Sequence, residues 1–160
     1  MVAEQSGAVP GSRGMPTVKV SRSMSASRSA VWSVLADFPH ISTWNGGVRA
    51  SHSTSEVTSG VGARRHCDLA PMGSVEESVA EWVEDERMVV TIDSAAGLPI
   101  ERGVATFTIA DGSTVVDYEF EPKGLLGRLT APMLVRQLKK GFGGFLSDLD
   151  AAALAASPSP

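Results

Sequence analysis

Along most of this chain apolar and polar residues alternate, and only near the end do the apolar ones settle into steps of three and four. Alternation puts successive side chains on opposite faces of a strand, whereas steps of three and four gather them on one face of a helix. The first alternating run is TVKVSRSM, Thr17–Met24. The next stretch, RSAVWSVLA at Arg28–Ala36, has helical spacing, with Val31, Leu35 and Trp32 inward and Ser25 or Ser27 placed to cap its free amide groups. Asp37-Phe38-Pro39 breaks that helix, a second short helix is expected over His40–Trp44, and Asn45-Gly46-Gly47 ends it.

Six more strands are predicted: Val48–Val57, Ala63–Leu69, Ser74–Val83, Met88–Asp93, Glu101–Ile109 and Thr114–Glu121. The connections are too short for parallel crossovers, so the strands pair as antiparallel hairpins. Ala110-Asp111-Gly112-Ser113 is the clearest hairpin signal. A Pro/Gly break after Phe120 leads into one long helix, in which Leu134, Leu138, Phe142, Phe145 and Leu149 share a face. A lone amphipathic helix after a run of strands must lie on the sheet they form. The expected fold is α+β: a curved, seven-stranded antiparallel sheet wrapped around the C-terminal helix, two short helices after the first strand, and a pocket between sheet and helix. Residues 1–16, rich in Gly, Ser and Pro, read as a disordered leader, residues 17–152 as a single domain, and residues 153–160 as a frayed tail.

Parity assigns the faces of the strands. In Ala63–Leu69 the set Ala63, Arg65, Cys67 and Leu69 points inward, and Arg64, His66 and Asp68 point to solvent. Ser74–Val83 is ambiguous, since Val75, Val79 and Val83 lie on one face and Ala80 and Trp82 on the other; a bulge would reconcile them. If the valines face in, Glu77 does too, and it would meet Arg65 on the neighbouring strand. An unpartnered buried charge costs several kcal/mol. The alternatives are an internal salt bridge, a water-filled cavity or a misread face, set against anchoring of a ligand. Near the end, Val116, Tyr118 and Phe120 face in, and Asp117, Glu119 and Glu121 face out.

Composition narrows the chemistry. With 160 residues, 42% hydrophobic and 20% charged, the chain can bury a core, and its net charge of −4 argues against a nucleic-acid partner. The single cysteine, Cys67, cannot form an internal disulfide and reads as a small buried hydrophobe. His40, His52 and His66 have no metal-binding spacing, so no metal is expected. No phosphate-binding loop, dinucleotide fingerprint or nucleophile elbow occurs, and no cofactor is expected. With neither a membrane span nor a signal-peptide core, a cytoplasmic location is the default. Arg136, Lys139 and Lys140 form a basic patch on the long helix: a solvated face, or a weak contact with a membrane surface. Gly141, Gly143 and Gly144 interrupt the best helical period at about 1 kcal/mol each, which calls either for close approach to the sheet or for space beside a pocket.

Several segments together resemble the START-like, or SRPBCC, superfamily (the Bet v 1-like helix-grip fold), in its polyketide cyclase/dehydrase and lipid-transport branch. They are Ala30–Phe38 followed by Trp44-Asn45, Val79-Ala80-Glu81-Trp82 followed by Arg87, Ala105–Ile109, and Phe120–Gly124 with Leu126–Leu129 and Ala131-Pro132. The resemblance spans roughly Val18 to Leu149 and implies a hydrophobic cavity between sheet and helix. It implies binding or transport of a small hydrophobic molecule such as a lipid or polyketide, or else a polyketide cyclase or dehydratase; a third alternative is a toxin-like or regulatory interaction protein with a vestigial pocket. The expected ligand-binding residues are Trp44, Arg65, Cys67, Glu77, Val79, Phe107, Tyr118, Leu138 and Phe142. Arg65, Glu77 and Tyr118 are the catalytic candidates if the protein is an enzyme. For Trp44 ordinary packing, and for Tyr118 a hydroxyl bonded to a neighbour, are the alternatives.

Overall fold

The computed structural model describes residues 14–157. Its elements are strand β1 (Thr17–Ser23), helix α1 (Arg28–Ala36), a 3-10 helix (Phe38–Thr43), strands β2 (Val48–Ser53), β3 (Arg64–Leu69), β4 (Ser74–Val83), β5 (Arg87–Ala96), β6 (Ile100–Ala110) and β7 (Ser113–Pro122), and helix α2 (Gly124–Ala156). The seven strands form one antiparallel sheet in the order β1-β7-β6-β5-β4-β3-β2. Consecutive hairpins lay β2 to β7 side by side. β1 then closes the far edge against β7, because its alternating Val18 needs a covered face and is almost fully buried there.

The ambiguity of β4 is resolved by a bulge. Val79 pairs with Val90, but Glu81 pairs with Val89, so Ala80 is the extra residue. Before it the odd positions Val75, Glu77 and Val79 point inward; after it Trp82 does, edge-on to Trp32 of α1 with 5.1 Å between ring centroids. Both halves of the alternating pattern therefore hold, each on its own side of the bulge. β2 is shorter than its apolar pattern suggests. Pairing with β3 ends at Ser53, where the Ser53 hydroxyl donates to the Ser55 carbonyl and Arg64 N–H donates to the Ser55 hydroxyl, turning the chain away.

Ser27 caps α1, accepting a hydrogen bond from Ala30 N–H at 3.2 Å. α2 is longer at both ends than its apolar period shows. It begins at Gly124, ten residues before Leu134, and runs to Ala156. The alanine-rich stretch after Leu149 extends the helix to Ala156, with Ala153 fully buried, so the helix continues through 153–156, past the expected domain end at 152. Gly127 lets the first turn approach the sheet: a Cβ there would lie 3.0 Å from the Pro99 carbonyl oxygen. At the other end Leu146 and Leu149 are fully buried, each contributing about 1.5–3 kcal/mol by burial. Beside them the Asp150 carboxylate accepts from Ser25 and Ala26 N–H, and Asp148 accepts from Gly46 N–H at 3.0 Å. The C-terminal half of α2 is thereby fixed to the segments before α1 and before β2.

Candidate functional site

At one end of the sheet the grip is not filled. α2 bridges it from Thr130 to Phe145, and the loops β3–β4 (Ala70-Pro71-Met72) and β5–β6 (Gly97-Leu98-Pro99) form the facing lips. Under this bridge lies an outer space of about 620 Å³. It continues into an inner chamber of about 180 Å³, the two sharing Asn45, Val48, Leu69, Leu98, Leu138 and Phe142 in their walls. Most of the lining is aliphatic or aromatic, as in sites that enclose small apolar ligands.

The charged groups lie in the chamber, whereas the outer space has only the uncharged polar side chains of Asn45, Thr130 and Gln137. Arg65 of β3 pairs directly across the strands with Glu77 of β4. The Arg65 Nε–H donates to Glu77 Oε2 at 2.6 Å; Arg65 is buried and Glu77 is nearly so. Nη1 donates to the Phe38 carbonyl at 2.8 Å, and the guanidinium lies 3.9 Å from the Phe38 ring centroid. Two of the five guanidinium N–H groups are thus occupied. Cys67 Sγ–H points at the same Glu77 oxygen, 3.6 Å away. Burial, with the Glu77 charge adding to it, pushes the Cys67 thiol up to about 12, so it stays protonated and is a poor nucleophile.

Tyr118 of β7 lies over β6, its ring 5.2 Å from that of Phe142 and 5.7 Å from that of Phe120. It takes this place because the residue beneath it is Gly103, where a Cβ would lie 2.6 Å from the Tyr118 hydroxyl oxygen. Burial, and secondarily the Glu77 charge, raises the Tyr118 pKa, so the hydroxyl remains a neutral donor. It makes no hydrogen bond among the described residues, so the alternative of a hydroxyl satisfied by a neighbour is not what the structure contains.

Of the nine residues expected in the site, Arg65, Cys67, Glu77, Phe107, Tyr118, Leu138 and Phe142 line the chamber together. Two stand apart from it. Trp44 packs edge-on against Phe145, centroids 5.1 Å apart, with its Nε1 buried and unpartnered, and the next residue, Asn45, takes the wall position. Val79 lies one inward position past Glu77, in the packed core. Of the glycines, Gly141 borders the outer space, and nothing approaches within 4 Å of a Cβ built at 141, 143 or 144. Close packing therefore does not explain them. The lips were read only as turns; their signal was the apolar residue in each, Met72 and Leu98. His66 sits on the outer face, held by Glu76 and Asp68, whose hydrogen bonds raise its pKa. Among the described residues no cluster of three or more His, Cys, Asp or Glu side chains is arranged to hold a metal ion.

A seven-stranded antiparallel sheet around a long C-terminal helix, hollow at one end, defines a helix-grip protein. The chain belongs to the polyketide cyclase/dehydrase and lipid transport family, whose sequence model matches residues 15–153. Solved structures with the same fold include a START superfamily protein from Mycobacterium smegmatis, 15% identical over 90% of this chain and 100% of that one, with a TM-score of 0.71. The Zhui aromatase/cyclase from Streptomyces sp. R1128 is 16% identical over 87% and 93%, with a TM-score of 0.70. The ginseng major latex-like protein 151 from Panax ginseng is 8% identical over 86% and 96%, with a TM-score of 0.68. At these identities the likeness is one of fold. No curated protein matches the chain.

Proposed function

We propose that this protein binds and carries a small, mostly apolar molecule bearing one uncharged polar group, held polar end first in the chamber. The observation that carries the reading is the division of the cavity: a mostly apolar outer space with no charged residue in its wall, and an inner one floored by a charge-compensated Arg65–Glu77 pair. Apolar burial supplies affinity at roughly 25 cal/mol per Å² before ordering costs. Glu77 already neutralises Arg65, so a carboxylate on the ligand would bring an uncompensated charge into the chamber. A hydroxyl or carbonyl brings none, and can accept from Tyr118 or from the spare guanidinium donors.

A cyclase or dehydratase has the family description behind it, together with the fold likeness to the Zhui aromatase/cyclase. Such a reaction needs a group that exchanges protons near neutral pH. Cys67 and Tyr118 are both pushed upward, away from that range, and Glu77 is engaged by Arg65. This favours a carrier. A cavity of this size also weighs against an interaction protein with a vestigial pocket.

The test is native mass spectrometry of protein purified from its source, with binding of the apolar dye ANS alongside. A co-purifying neutral amphiphile supports the reading, and Tyr118→Phe should then weaken its binding about five- to tenfold, the loss of one hydrogen bond. An empty protein that does not bind ANS refutes it.

A further inference from the structure

The mouth of the cavity is bordered by a surface that a carrier free in water does not need. Leu125, Leu126 and Leu129 in the first turns of α2 are exposed by more than 70%, and Met133 by 59%. Four large apolar side chains within nine residues are too concentrated to be the scattered exposure of an ordinary surface. Met133 also lines the outer space, and across the mouth from it stands Met72, itself 64% exposed, on a lip whose residues Ala70 to Gly73 carry no charge.

Charge follows the same helix. From Lys123 to Ser147 the chain holds five of its 14 Lys and Arg, namely Lys123, Arg128, Arg136, Lys139 and Lys140, and none of its 18 Asp and Glu. Leu129, Met133, Arg136 and Lys140 follow one another at steps of four, three and four, so the exposed apolar stripe continues into a cationic one along a single line of the helix. The whole chain is acidic, with a net charge of −4, so this face is a local reversal of sign. An apolar stripe flanked by lysines and arginines is the composition that beds a helix at the boundary between lipid headgroups and acyl chains.

We infer that this face, the first half of α2 together with the Met72 lip, docks on an anionic lipid surface and turns the cavity mouth toward the bilayer. The inference rests on the carrier reading and deepens it: the cargo would pass between bilayer and chamber without crossing water. Leu125, Leu126, Leu129 and Met133 enter the interface, while Arg136, Lys139 and Lys140 meet lipid phosphates.

The experiment is co-sedimentation of the full chain with vesicles of phosphatidylcholine, with and without a quarter of phosphatidylglycerol, across a salt series. Binding is expected to the anionic vesicles only, and to weaken as salt screens the basic residues. Leu125→Glu/Leu129→Glu should lower it at least tenfold. Lys139→Glu/Lys140→Glu should lower it by about fivefold or more for each lysine removed. Neither pair lines the cavity, so ANS binding in solution should be unchanged in both, which also verifies folding. Equal binding to both vesicle types, or none to either, overturns the docking inference. A dimer that Leu125→Glu/Leu129→Glu dissolves, in a protein that ignores vesicles, overturns it in favour of a contact between copies of the chain. Failure to bind ANS refutes the cavity reading instead, so the two failures are distinguishable.

Discussion

From Phe145 to Ala153, α2 presents buried Leu146, Leu149 and Ala153 to the core and ties Asp148 and Asp150 to backbone amides of other segments. From Gly124 to Phe142 the same helix has no side-chain cap at its start, contains Pro132, and spans a void. A proline inside a helix costs about 3 kcal/mol because a hydrogen bond is lost and the ring crowds the preceding turn. The first of these regions contributes stability, whereas the second leaves part of its apolar surface uncovered. The contrast indicates that a single unbroken element can serve as core at one end and as cover at the other, with the Arg65–Glu77 pair marking the border between them.

The largest effect is expected at that border. Glu77→Leu leaves Arg65 buried and uncompensated, and should cost about 3–5 kcal/mol by urea unfolding, whereas Arg65→Met/Glu77→Leu should recover most of the loss. If the single and the double variant prove equally unstable, the pair does not act as a unit. Next comes the direct comparison along the helix. Leu149→Ala opens a hole in the packed end and should cost about 2–5 kcal/mol, while Leu138→Ala, which borders an existing space, should cost less than half as much. Equal losses would erase the distinction between the two regions.

Gly141→Ala and Gly144→Ala have the opposite sign. Nothing lies within 4 Å of the added Cβ, so each should raise stability by up to about 1 kcal/mol in the same assay. A loss would place hidden contacts beside the helix. The smallest effect is on pH dependence. The Cys67 thiol is raised in the folded state from an ordinary 9.0 to about 12, so the unfolded chain gives up this proton first. The stability contributed by keeping it neutral is intact below pH 9 and is lost as pH climbs toward 12. Urea midpoints of Cys67→Ala should therefore fall less steeply over that range than those of the unaltered protein. Identical slopes would mean that the thiol is not shielded.

Element order, antiparallel pairing and the inward facing of Arg65 and Tyr118 were legible in the chain, because strand parity and short turns are local properties; Glu77 followed only if the valines of its strand faced in. The bulge at Ala80 was visible only as a conflict between two faces, since the register that resolves it depends on the partner strand β5. The first ten residues of α2 escaped the helical period for a physical reason: their apolar residues face outward, so there is no buried stripe for the period to report. Trp44 was expected in the cavity wall because it follows the two short helices, where the resemblance puts the opening, yet its ring finds Phe145 instead. The lips could not be read as walls, because Met72 and Leu98 come together across the cavity only when the sheet curls.

Gly103 has no side chain, yet it determines where the Tyr118 hydroxyl sits. On the proposed function, position 103 is therefore a lever on selectivity that lies outside the cavity wall. Its replacement by alanine would lift the ring from its seat and move the donor within the chamber, while every lining residue kept its identity. On the proposed carrier reading, two chains that share all the wall residues of this cavity would differ in cargo through this one backbone position, and a survey of lining residues alone would group them together.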